Sequence, residues 1–117
     1  MTDKETIRAL AVNTLDENKA INISNIDVTA LTDVTDYLII CTATSTRHAK
    51  SLADKLLRTM KNQGIKPLGI EGEQQSEWIL VDLQDVVVHI MLAEIREFYD
   101  LEKLWTMTEE MRQQYED

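Results

Sequence analysis

The chain has 117 residues and a formal net charge of −9, from 12 Lys and Arg against 21 Asp and Glu; the length suits one domain with one core, and the acid surplus opposes any broad grip on nucleic-acid phosphates. Its lone cysteine, Cys41, excludes an intramolecular disulfide and points to a reducing compartment. The charged start MTDKETIRAL lacks a signal-peptide core and no run approaches the ~20 apolar residues of a membrane span, so a cytoplasmic location with no membrane contact is expected.

A helix should open the chain. Thr2 and Glu5 fit a T-x-x-E capping box, and Ile7, Leu10, Ala11 and Leu15 follow at helical spacing until Asn18. Ile21 and Ile23 alternate with polar residues, whereas Ile26 and Val28 alternate in the opposite phase. That shift predicts a strand with a bulge or bend near Asn25. After a polar turn over 31–35, the run Tyr37-Leu38-Ile39-Ile40-Cys41 reads as a strand buried on both faces, central in a sheet. Ser45 or Thr46 then caps a second helix, with Ala49, Leu52, Ala53, Leu56, Leu57 and Met60 on one apolar stripe and Gly64 as the left-handed residue beyond its end. A short strand follows over 67–71, with a polar loop from Gly72. Two β-rich runs, 78–81 and 86–91, joined by 82–85, predict an antiparallel hairpin. A helix over 93–105 would place Ile95, Phe98, Leu101 and Trp105 on one side. Thr106 and Glu109 form a second capping box, and Met107, Met111 and Tyr115 suggest one more short helix. These elements predict an α/β fold, a mixed five-stranded sheet covered by helices, with a domain over 1–105 and a helical extension over 106–117.

The charge is uneven. Residues 47–66 carry six bases (Arg47, Lys50, Lys55, Arg58, Lys61, Lys66) against the single acid Asp54, while residues 94–117 carry eight acids against three bases. Two solvated helix faces would account for this; so would an acidic protein meeting a basic partner, with one basic stripe for RNA or a second contact.

Signs of catalysis are weak. The stretch Cys41-Thr42-Ala43-Thr44-Ser45 before the second helix lacks the glycines of a phosphate-binding loop. Cys41, His48 and His89 have no zinc-ligand spacing. Cys41 lies in an apolar run that disfavours its thiolate, and His89 alternates with Val87 and Met91 as a core or edge histidine would. Asp33 with Asp36, and Asp82 with Asp85, flank turns that Asp caps through local backbone bonds. No metal and no cofactor are expected. Trp78, opening a strand after an acidic loop, and Tyr99 are either half-buried core aromatics or interaction hot spots.

The segments DVTALTDVTDYLIICTATSTRH (27–48), PLGIEGEQQSEWILVDLQDVVVHIM (67–91) and REFYDLEKLW (96–105) closely resemble the ribosomal silencing factor family, RsfS, also called Iojap. The resemblance covers about residues 2–105, and its motifs are specific in combination: LTD..DY, TS.RH, PLG.EG, EW..VD, and DVVVH followed by FY.LEKLW. Ala43 and Gln84 stand where the family leads one to expect glycine; at Gln84 that would add roughly 1 kcal/mol to a positive-φ turn. The resemblance implies a nucleotidyltransferase-like sandwich without enzymatic activity. It implies binding to the large ribosomal subunit through ribosomal protein fourteen, on the face that meets the small subunit, so that joining is blocked and translation falls. Limited ribosomal RNA contact and a homodimer off the ribosome are compatible with it. The side chains nominated for the partner contact are Glu71, Trp78, Arg96 and Tyr99, with Asp82 and Glu102 contributing electrostatically. A nucleotidyltransferase-like enzyme and a large-subunit assembly factor are the alternatives.

Overall fold

A computed structural model describes residues 3–31 and 35–106, with side chains through 103. In chain order it contains α1 (Lys4–Glu17), β1 (Ile21–Asp27), β2 (Tyr37–Ala43), α2 (Thr46–Asn62), β3 (Gly69–Glu71), β4 (Trp78–Asp82), β5 (Val86–Leu92), α3 (Ala93–Tyr99) and α4 (Leu101–Thr106). The strands form one five-stranded sheet in the order β1-β2-β5-β4-β3. β2 and β5 run parallel, in register from Tyr37 opposite Val86 to Ala43 opposite Leu92, and every other neighbouring pair is antiparallel.

The two faces of the sheet are covered unequally. Alternation along the strands sends Tyr37, Ile39, Cys41, Ile79, Val81, Val86, Val88 and Ile90 to one face, where α1 and α2 close the main core with Ile7, Ala11, Leu15, Leu52, Leu56 and Met60. Each such fully buried Leu or Ile contributes roughly 1.5–3 kcal/mol. The opposite face has a smaller core of Val28, Leu38, Ile40 and Met91, against which Ile95 of α3 and Leu101 of α4 pack. That cover reaches the β1-β2-β5 half and leaves the β4-β3 half largely open.

Several boundaries differ from the sequence reading for local reasons. Asp3 caps α1, its Oδ1 accepting from the Thr6 N–H at 2.9 Å, while Thr2 of the expected capping box lies outside the described residues. Glu5 instead accepts a hydrogen bond from the Tyr37 hydroxyl and pairs with Arg8, whose guanidinium lies 4.5 Å from the Tyr37 ring centre. The β1 irregularity falls between Ile21 and Ser24, where Asn22 takes φ 51°, earlier than Asn25. β3 begins at Gly69, not at Pro67. The helix expected over 93–105 breaks at Asp100, whose left-handed φ of 47° splits it into α3 and α4. Phe98, expected on the same side as Ile95, lies in the last turn of the short α3 and is 77% exposed. Ser45 caps α2 as expected, accepting from the His48 N–H at 3.0 Å, and Gly64 follows at φ 75°. The capping box at 106–109 and the helix suggested by Met107, Met111 and Tyr115 lie outside the described residues.

Candidate functional site

The open half of the second face is built on β4. Gly72, at φ 87°, starts the loop that leads into this strand, and a Cβ there would stand 2.0 Å from the Trp78 carbonyl oxygen. Only glycine permits that approach, so Gly72 fixes where Trp78 enters the sheet. Trp78 is half-buried, and its Nε1–H donates to His89 Nδ1 on β5 at 2.9 Å. His89 is buried, and burial pushes its imidazole down to about 4, so near neutrality Nδ1 holds the lone pair that Trp78 needs. Tyr99 at the end of α3 packs on the indole with ring centres 4.8 Å apart, and Phe98 meets Tyr99 edge-on at 5.0 Å. Tyr99 is 53% exposed. The result is a three-ring aromatic surface, with the indole on β4 and the other two rings at the end of α3.

Acids surround it. Glu71 is exposed on β3, directly across from Leu80, and Glu94, Glu97 and Asp100 are exposed along α3 and its turn. Asp82 closes β4, where its Oδ1 accepts from the Gln84 N–H at 2.8 Å in the hairpin turn, so it serves the turn as the sequence suggested. Gln84 holds φ 78°, the positive value foreseen for that position.

Arg96 and Glu102 belong to an internal polar network next to the aromatics. Arg96 Nε donates to Glu102 Oε1 at 2.7 Å, and its terminal nitrogens donate to the Thr42 and Ser24 hydroxyls at 2.9 and 3.1 Å. Ser24 in turn donates to the other Glu102 oxygen. The hydrogen bond from Arg96 holds the Glu102 carboxyl below its usual range. This network ties α3 and α4 to β1 and β2, so it sets where Phe98 and Tyr99 stand. The structure therefore brings Trp78 and Tyr99 into contact, joins Arg96 to Glu102 as supports, and leaves Glu71 and Asp82 on the far side of the same face. Phe98 was missed as a surface residue, because its spacing from Ile95 and Leu101 reads as one apolar stripe.

The groups with reactive chemistry are muted. Burial pushes the Cys41 thiol up to about 12, with Arg96 opposing the rise. His48 is occupied at the start of α2: its Nδ1 accepts from the Thr44 N–H and its Nε2 lies 3.0 Å from the Asn18 carbonyl. Among the described residues no three of His, Cys, Asp and Glu converge to hold a metal ion. The arrangement offers contact area and charge.

Known proteins match this chain along its length. The family model described as ribosomal silencing factor during starvation matches residues 2–117, which extends past the 2–105 expected and takes in the tail. The ribosomal silencing factor RsfS of Haemophilus influenzae is 44% identical over 94 residues, covering 80% of this chain and 92% of the relative. The mouse protein named mitochondrial assembly of ribosomal large subunit protein 1 is 37% identical over 101 residues, covering 84% of this chain and 44% of the relative. A crystal structure of a Chromobacterium violaceum protein superimposes with a TM-score of 0.88 at 36% identity, covering 92% of this chain and 90% of that one. The chain belongs to the ribosomal silencing factor family.

Proposed function

We propose that this protein binds the large ribosomal subunit through ribosomal protein fourteen and keeps the small subunit from joining by occupying the joining face. The observation that carries the reading is the Trp78–Tyr99–Phe98 surface, half-buried at the indole and exposed at the other two rings, with exposed acids on neighbouring elements in a chain of net charge −9. Aromatic side chains supply large contact area at little entropic cost, and an acidic rim complements a basic ribosomal protein. No chemistry is required. A body with principal extents of 42 × 35 × 22 Å excludes an opposing subunit by volume alone. The cytoplasm is the place of action, and no described helix is long and apolar enough to cross a membrane. Off the ribosome a homodimer would bury the same aromatics, so dimer and subunit-bound forms would exclude one another.

Light scattering during subunit mixing tests the reading. Protein added before mixing should inhibit joining in proportion to its occupancy of the large subunit; added afterwards, it should act weakly, because the assembled ribosome covers the site. Unchanged joining at saturating occupancy would leave a second reading, an assembly factor for the large subunit, which the name of the mouse relative favours. In that case loss of the protein from cells should accumulate immature large subunits.

A further inference from the structure

The α2 side of the molecule carries a feature that the aromatic face does not use. Arg47, Lys50, Lys55 and Arg58 are exposed along one side of α2, spaced so that they line a strip about 16 Å long. Together with Gln74 and Gln75 from the β3–β4 loop they wall an open groove. Asp54 is the one acid on that wall, 4.0 Å from Lys50, which also lies 3.7 Å from Glu73. Elsewhere Lys4 pairs with Asp36, Arg8 with Glu5 and Arg96 with Glu102, while Lys19, Lys61 and Lys66 are scattered bases in no ion pair among the described residues. Among the described residues, Arg47, Lys55 and Arg58 have no carboxylate within ion-pair distance, although acids exceed bases by nine in the chain.

We infer that this groove is a second contact surface, for the phosphate backbone of ribosomal RNA, engaged while the aromatic face holds its protein partner. The inference rests on the large-subunit binding proposed above. Unpaired cations in a row suit a line of phosphates, and the amides and hydroxyls of Gln74, Gln75 and Thr46 suit phosphate and sugar oxygens. The lining contains no aromatic ring on which a base could stack, so the contact reads backbone and not sequence. A lipid surface fits poorly, because the apolar stripe of α2 (Ala49, Leu52, Ala53, Leu56, Met60) is buried in the core and cannot insert. The loop over 72–77 joins the two surfaces. It contributes Gln74 and Gln75 to the groove and then delivers Trp78 to the opposite side of the sheet, so one body can bridge adjoining protein and RNA.

The test uses the full chain with Arg47→Gln, Lys55→Gln and Arg58→Gln combined, all exposed positions. Binding to purified large subunits is measured between about 50 and 200 mM salt, and binding to isolated ribosomal protein fourteen is measured in parallel. The expected result is at least a tenfold loss of subunit affinity at the low-salt end. The slope of log affinity against log salt should become shallower by about 2 to 3, as for three lost phosphate contacts. Affinity for the isolated protein should be unchanged, and Arg47→Lys, Lys55→Arg and Arg58→Lys together should retain subunit binding. Unaltered subunit affinity and slope would overturn the inference. Equal losses toward the subunit and the isolated protein would assign α2 to a protein partner and overturn it as well. If the unsubstituted chain binds neither target, the proposed function itself falls, and the groove's assignment with it.

Discussion

His89 shows how one buried side chain can couple stability to the exposed surface. Its neutral imidazole accepts from the Trp78 indole, and burial holds its pKa down to about 4. The unfolded chain, with a histidine near 6.5, therefore takes up a proton between those values while the folded chain does not. Stability from this group is complete above about pH 6.5 and falls as pH drops toward 4, by roughly 3 kcal/mol in all. Carboxylates titrate in the same window, so the measurement is a difference: chemical denaturation of the wild type and of His89→Gln from pH 7 to 4, with the wild type losing the extra amount. The aromatic residues separate in a second measurement. Phe98→Ala and Tyr99→Ala should weaken subunit binding by about 2 kcal/mol each and change folding stability by less than about 1 kcal/mol, because both rings are exposed. Trp78→Ala should lower both quantities, since it also strips His89 of its donor. Co-sedimentation and denaturation midpoints decide between these patterns. The place of His89 was legible, because alternation with Val87 and Met91 fixes which face it occupies. Its indole partner was not, because a cross-strand bond depends on register that no local pattern states.

At the scale of elements, the strands and α2 were legible because each carries a strong period: the apolar run of β2, the stripe of α2, and the paired runs of β4 and β5. One helix was expected in place of α3 and α4 because Ile95, Phe98, Leu101 and Trp105 recur at three- and four-residue spacing across the break. The left-handed turn at Asp100 is held in place by tertiary contacts, with Arg96 bonded to Glu102 across it and to Thr42 and Ser24 on the sheet. The site was accordingly half legible: Trp78 and Tyr99 were singled out, whereas the supporting place of Arg96 and the exposure of Phe98 required the fold. The β4–β5 turn offers a cleaner test of backbone cost. Gln84 holds a positive φ, so Gln84→Gly should raise stability by up to about 1 kcal/mol in denaturant titration. It should leave subunit binding unaltered, since the turn's Asp82 bond to the backbone N–H survives the change.

For the whole molecule, charge should govern the rate of encounter. With net charge −9 and exposed acids on β3 and α3, association with a basic ribosomal surface should slow as the Debye length shrinks from ~10 Å at 0.1 M salt to ~3 Å at 1 M. Stopped-flow mixing with large subunits measures this, and a rate indifferent to salt would remove steering from the account. The sheet poses a different problem at this scale, because β4 carries the half-buried Trp78 next to the exposed rings of α3, and the neighbouring β3 has no described helix packed on its second face. An open face of that kind invites strand-to-strand growth into fibrils wherever a long, flat edge can template the next chain. Both borders of this sheet are poor templates. β3 is only three residues long, and β1 is kinked by the irregularity between Ile21 and Ser24 with Asn22 in the left-handed region. The protein can therefore leave an apolar face exposed while denying its own copies an edge on which to polymerise.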